Sequence, residues 1–411
     1  MNISKSAGSD QLWGLRATRL FDGERFHPGS PLVLFRGNTI EAVDLSGADP
    51  ADSIPVEDLG DATILPGLVD AHTHLAFDPA QDAFHQVQAD DDAALLARMR
   101  RHAQQALRAG ITTLRDLGDR NYLALDLRDQ FTADASGPEI LVAGPPITPT
   151  RGHCWFLGGE ADGLDGVTAA ARERIARGVD AVKIMATGGA TTPGTALHES
   201  QYTLAELRAV VEVAHQAGTL VTAHAHGGGG IADAVAAGAD GIEHGFFLTG
   251  DTPRRAEPDW ATVAALAERG VFVGTTTARR PPAEPVQGTT LRVRTNFARM
   301  HREGVKLVCS SDAGVGPLKT HDCLPYGILE FSTLLEHTNT EALVAATSLA
   351  AESCGVGGRK GRIAAGYDAD VLVVAGDVQR DLTSILDVRA VYRAGALTSG
   401  VLDESTQTAG R

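Results

Sequence analysis

Cysteine is scarce in this chain of 411 residues: Cys154, Cys309, Cys323 and Cys354 are all there are, with no CxxC pair among them. That spacing excludes a disulfide scaffold and a cysteine-based metal site, and reduced thiols are expected. Basic charge is in deficit as well. Lys+Arg total 36 against 52 Asp+Glu, a formal net charge of -16, so the field of the whole molecule repels phosphate backbones and no nucleic-acid partner is expected. No run approaches the roughly 18 apolar residues of a membrane span. The opening stretch, 1–13, lacks the basic segment followed by an apolar run that an export signal requires. These absences predict a soluble, cytoplasmic protein with no membrane partner. Lysine is scarce among the basic residues, with only Lys5, Lys183, Lys306, Lys319 and Lys360, which makes each one conspicuous.

What is present in quantity is apolar residue, 43% of the chain, in a repeating order. Short β-branched runs at 63–70, 111–116, 139–143, 180–186, 220–224, 241–244, 271–275 and 306–311 alternate with amphipathic stretches such as 91–109, 168–177, 203–217, 260–269 and 292–303. Eight such β/α units predict a closed (β/α)8 TIM barrel, because an open sheet of that size would leave two edges to protect. The ends of the chain differ. Runs 15–20, 31–36 and 39–43, and again 370–375 and 388–393, are short strands between Gly, Asp and Pro turns. The expected α/β architecture is therefore a barrel, residues 62–361, inserted into a small β-sandwich built from both termini, residues 1–61 with 362–411.

In such a barrel the chemistry gathers where each strand stops. The first run ends in His72-Thr73-His74, two imidazoles at i and i+2 that point to one side of an extended chain. They can grip a metal ion or cap the strand by hydrogen bonding. Lys183 lies in the fourth run between apolar neighbours, where an ammonium suffers desolvation unless it is paired or chemically altered, or where it reaches solvent from the strand end. The fifth run ends at His224-Ala225-His226, the sixth at His244, and the eighth at Asp312, a carboxylate suited to ligation, proton transfer or capping. His85, His102, His215, His301 and His337 fall on helical stretches and read as packing or surface residues. Asp90-Asp91-Asp92 reads as a helix start, and Gly227 to Gly230 as a close-packed turn.

One polar group at each of strand ends one, four, five, six and eight, with the segments ILPGLVDAHTHL, VKIMATGG, HAHGGGGIADAVAAGADGIEHG and SSDAG, resembles the amidohydrolase superfamily. The resemblance covers the whole chain and is to the binuclear subtype with a carboxylated lysine, in the branch related to imidazolonepropionase that contains Xaa-Pro dipeptidases. It implies two divalent metal ions. His72, His74 and Asp312 would hold the more buried one, His224 and His244 the more exposed one, and a CO2-derived carbamate on Lys183 would bridge them. Nitrogen and carboxylate ligands suit zinc, and manganese and iron are compatible with them. The activity implied is hydrolysis of a C–N amide bond in a dipeptide, peptide or N-acyl amino acid by a metal-bridging hydroxide, with Asp312 as the acid/base.

His153 matches the branch's histidine that holds a substrate carboxylate. His226, where the dipeptidases place tyrosine, is a departure that leaves it as a substrate contact and weakens the case for strict Xaa-Pro specificity. Arg115 reads as half of an Arg-Asp structural pair. Segments 154–162, 190–201 and 279–289 are long enough to be lids. The alternatives are a specialised hydrolase for cyclic or aryl amides or a peptide natural-product precursor, a deaminase, which the presence of Lys183 opposes, and a non-catalytic scaffold. The partner expected is a small-molecule or peptide substrate, and self-association into a homo-oligomer is compatible with the sequence.

Overall fold

The computed structural model describes residues 11–250, 255–281 and 285–400; the outermost parts of both terminal segments and part of the 279–289 loop lie outside the described residues. The two ends of the chain form two sheets. One carries Thr39–Asp44, Leu32–Arg36, Trp13–Arg16 and Val56–Asp58 in that spatial order, and the other Ala396–Gly400, Val388–Arg393, Val371–Ala375, Ala62–Pro66, Arg19–Phe21 and Phe26–Pro28. Trp13, Leu15, Val33 and Phe35 of the first face Ile64, Val371, Val373 and Tyr392 of the second in one buried cluster. This is the sandwich expected from alternating strands with one apolar face each. Strand Ala62–Pro66 pairs with Arg19–Phe21 on one side and Val371–Ala375 on the other, so the termini meet as inferred.

The 63–70 run is not one strand. It divides at Gly67, leaving Ala62–Pro66 in the sandwich and starting the barrel with Leu68–Thr73. Pro66 offers no N–H to a ladder. A Cβ at Gly67 would lie 2.1 Å from Thr112 Oγ1, so only glycine lets the chain pass from one sheet to the other there.

The barrel strands are Leu68–Thr73, Ile111–Asp116, Glu139–Val142, Ala181–Met185, Leu220–Gly227, Gly241–Leu248, Phe272–Gly274 and Lys306–Val308, paired in parallel. Two seams close through residues just beyond the strands. At the third-to-fourth seam, Ile147 N donates to Lys183 O at 2.8 Å and Met185 N to Ile147 O at 2.9 Å. At the eighth-to-first seam, Asp312 N donates to His72 O at 2.7 Å and His74 N to Ala313 O at 3.0 Å. The residues that complete the cylinder are therefore those singled out for chemistry.

The outer helices begin where the sequence supplies caps. Asp91 caps Asp92–Arg108 by accepting from Ala94 N at 2.8 Å, and Thr203 with Glu206 makes a capping box for Leu204–Gln216. Of the same acidic run, Asp92 accepts from Arg120 and Asp90 from Arg98, which is the capping and solvating role expected. At the far end of the barrel, Lys360 Nζ is shared by Glu139 at 3.0 Å, Asp368 at 2.8 Å and Asp370 at 2.6 Å. A buried ammonium is tolerable only with such partners, and these tie the start of the third strand to the sandwich. All four cysteines are buried and free. Among the described residues no helix is long and apolar enough to cross a membrane.

Candidate metal centre

The strand ends converge on a cavity of about 220 Å³ walled by His72, His74, Lys183, His224, His244 and Asp312, with His153 and His226 also on its wall. His72, His74 and Asp312 bring their ligand atoms within 4.8 Å of one another, and so do His224, His226 and His244. His226, expected as a substrate contact, thus stands within the second group, its ring stacked on that of His244 at 4.2 Å. The backbone at these corners is forced: His244 has φ 73°, Asp312 φ 56° and Thr276 φ 49°. Positive φ at non-glycine residues is uncommon and collects where side chains are aimed at a site.

The outer hydrogen bonds assign the imidazole tautomers. His72 Nδ1 donates to Glu243 Oε2 at 2.7 Å, which leaves Nε2 as a lone pair. His74 Nδ1 faces Gly118 O at 3.4 Å, leaving its Nε2 likewise. Those two nitrogens stand 3.3 Å apart, and each lies 3.3 to 3.4 Å from Asp312 Oδ1. A tetrahedron with metal–ligand bonds of about 2.05 Å has edges of about 3.3 Å. The triad has the dimensions of one face of a zinc-sized cage.

The second group makes the same case by repulsion. His224 Nε2 donates to Gly188 O at 3.1 Å. Thr276 Oγ1 spends its proton on Thr275 O and so accepts from His244 Nδ1 at 2.8 Å. His224 Nδ1 and His244 Nε2 are then both lone pairs, and they face each other at 2.8 Å. Burial, with neighbouring imidazoles, holds both rings well below the usual histidine range, so no proton lies between them at neutral pH. A cation satisfies that arrangement.

Between the groups stands Lys183, 1% exposed, whose Nζ has no hydrogen-bond partner. Burial pushes this amine down to about 8, against the opposing fields of Glu243 and Asp312. An orphaned buried amine is costly. A lowered amine is also more often in the neutral form that can attack CO2, and the carbamate so formed, with loss of a proton, would present an anion to both lone-pair groups. Burial and Lys183 push His72 down to about 4, and burial with His226 pushes His153 down to about 3. Burial alone would raise Asp312, but the two imidazole edges beside it, His74 and His72, and the ammonium of Lys319 hold it well below the usual carboxylate range.

Arg115 does not pair with Asp116. Its Nη2 donates to Glu243 Oε1 at 3.0 Å, while Nε and Nη1 are held by Ala71 O and Ser353 O; Asp116 accepts from Leu75 N and Gly118 N. Glu243, which sequence reasoning passed over, also accepts from Thr222 Oγ1 at 2.7 Å. A carboxylate inside the apolar run Gly-Ile-Glu-His was the available signal. With His72 on its other oxygen, Glu243 sets the tautomer of a candidate ligand. Replacing it with Gln turns an N–H toward one of three donors. Glu243→Gln is therefore expected to weaken zinc binding by about 10- to 100-fold, read by competition with a chromophoric chelator; unchanged affinity would remove this role.

His153 rests on the 190–201 segment: its N donates to Gln201 Oε1 at 2.7 Å, and its Nδ1 lies 3.1 Å from Thr192 Oγ1. A Cβ at Gly189 would fall 2.2 Å from His153 Nε2, so that glycine makes room for the ring. Of the helical histidines, His102 stacks at 4.0 Å on His321, whose Nε2 donates to His74 O at 3.1 Å.

Known proteins similar to this chain share its architecture. A family model described as "Amidohydrolase family" matches residues 63–398. The chain is similar to an ochratoxinase from Aspergillus niger, 27% identical over 381 residues, which covers 82% of this chain and 76% of that protein. Among solved structures it is similar to an Xaa-Pro dipeptidase with bound methionine in the active site, TM-score 0.83 and 26% identity over 95% of this chain and 100% of the other. A prolidase complexed with N-methylphosphonate-L-proline gives TM-score 0.81 and 27% identity over 95% and 100%.

Proposed function

The chain belongs to the amidohydrolase family, and we propose that it hydrolyses the amide bond of a dipeptide or N-acyl amino acid at a binuclear metal site. It is a hydrolytic enzyme of carbon–nitrogen bonds, in company with Xaa-Pro dipeptidase-like and prolidase-like relatives. The observation that carries the finer reading is the donor set: two convergent groups of lone pairs on either side of an orphaned amine.

His72, His74 and Asp312 would hold one divalent cation, His224 and His244 the other, and Lys183 as its carbamate both, with zinc the metal the donors suit. Such a pair supplies a water acidic enough to be deprotonated near neutral pH and polarises the substrate carbonyl. Asp312, kept ionised, takes a proton at Oδ and returns it to the departing nitrogen. Thr192 Oγ1 accepts from Cys154 N at 2.8 Å, which turns its own proton to His153 Nδ1 and leaves His153 Nε2–H, now 3.5 Å from Cys154 Sγ, to turn to a substrate oxygen. His226, stacked on the His244 ring and beside His224, would contact the substrate from the same side as His153. Phe77, Met185, Leu197 and Phe246 make the apolar part of the cavity, which excludes water and accepts an uncharged acyl group.

The test is a panel of N-acyl amino acids and dipeptides assayed before and after chelation. Turnover should fall to background on metal removal and return with zinc, manganese or cobalt. Inactivity of the metal-loaded protein on the whole panel, or turnover indifferent to chelation, would overturn the proposal.

A further inference from the structure

We infer that Lys319 binds the carboxylate of the residue released on the amine side of the scissile bond. The inference rests on the amide-hydrolase reading for the identity of that residue. Lys183 and Lys319 are the only lysine or arginine side chains on the cavity wall among the described residues, and Lys183 is taken up by the metal site. Arg115 is committed to Glu243, Ala71 O and Ser353 O. Lys319 Nζ donates to Thr276 O at 2.6 Å and to Ser311 O at 2.5 Å. An ammonium has three donors, so one N–H remains.

Position decides which end of the substrate it meets. In an amino acid released from an amide, the carboxylate oxygens stand roughly 3 Å from the nitrogen that becomes the amine. That nitrogen must lie against Asp312 to receive its proton. Lys319 is joined to the residue before Asp312 through Ser311 O, and its own backbone O accepts from Gly314 N at 2.8 Å. It stands on the Asp312 side of the cavity, whereas His153 packs on His224, with ring centroids 4.5 Å apart. The two carbonyls fix the ammonium in place, which keeps the entropic cost of using it low. Lys319 then meets the carboxylate of the leaving residue from the Asp312 side, while His153 reaches the substrate from the His224 side.

The experiment is calorimetric binding to the zinc-loaded full chain of L-proline, L-leucine and L-phenylalanine, each against its primary amide. Wild type should bind at least one amino acid about 30-fold more tightly than its amide, the worth of a charge-assisted hydrogen bond. In Lys319→Met that preference should shrink to within about 3-fold while amide binding is kept. Lys319→Gln, uncharged and one bond shorter but with two N–H groups to offer the Thr276 and Ser311 carbonyls, should behave as the Met variant does. No preference in wild type, a preference retained in both variants, or loss of the folded state in both would each overturn the inference. Hydrolysis of the N-acyl derivatives is read separately, so failure of the amide-hydrolase reading appears as absent turnover with the binding preference intact.

Discussion

Asp312→Asn is expected to lower kcat on the best N-acyl amino acid by about 10³-fold, with a smaller change in KM. Asparagine keeps the shape and one oxygen of the side chain, so the contacts to His72 and His74 Nε2, now 3.3 to 3.4 Å, can still close around a cation. What it loses is the negative charge and the ability to hold and release a proton. Asparagine tolerates the φ of 56° at this position as aspartate does and keeps the N–H that donates to His72 O, so the corner is expected to hold. Steady-state kinetics on metal-loaded protein, with metal content measured in the same sample, checks this. Activity within 10-fold of wild type in a variant with full metal content would remove Asp312 as the acid/base.

Removal of the lysine should be as severe and, unlike loss of Asp312, partly reversible. Lys183→Ala deletes the amine and opens a space between the two lone-pair groups in a site where every other nearby side chain is already placed. Turnover is expected to drop by about 10³-fold or more, because the metals lose their shared anion. A small carboxylate such as formate or acetate has the charge and the two oxygens of a carbamate. Millimolar amounts should restore a measurable part of the rate, saturably, and leave wild type unaffected. An ordinary lysine that merely neutralised Glu243 would not be replaced by an anion, so the sign of the added charge discriminates. Failure of every short carboxylate to restore any activity in a folded, metal-supplied variant would count against the carbamate.

The barrel was readable from the sequence because it is a repeat of one event, an apolar run ending in a polar side chain. The strand ends carrying His72, Lys183, His224, His244 and Asp312 stand where that event predicted. Other elements were hidden for identifiable reasons. The glycine run read as a close-packed turn opening a helix does start Gly228–Ala237, but what demands it is visible only in the fold: a Cβ at Gly230 would fall 2.4 Å from Thr187 Cγ2. Leu123–Asp134 is entered by Tyr122 at φ 59°, whose side chain makes no cap, and the first turn is capped instead by Asp119, which accepts from Ala124 N at 2.7 Å. The change of sheet at Gly67 left no break in hydrophobicity, because residues 62–73 are buried in both sheets.

Around the site, the sequence displayed candidate ligands but not the groups that hold them. Glu243 and Thr276 act through partners 171 and 32 residues away, His72 and His244, separations that only the closed barrel brings to contact. Arg115 shows the same limit from the other side. Its neighbour Asp116 looked like its partner, yet successive residues of a strand face opposite ways, and the guanidinium crosses the barrel interior to Glu243 instead. Lys319 carried no motif at all. Its role as proposed comes from two backbone carbonyls and a place on the cavity wall.

The account turns on an altered amine shared by two cations. Carbon NMR of the protein reconstituted with zinc and 13C-bicarbonate reads that group directly. The prediction is a single protein-bound carbamate resonance in a sample holding about two zinc ions per chain, lost on chelation and absent from Lys183→Ala. A protein that holds its zinc and hydrolyses its substrate with no such resonance would contradict it.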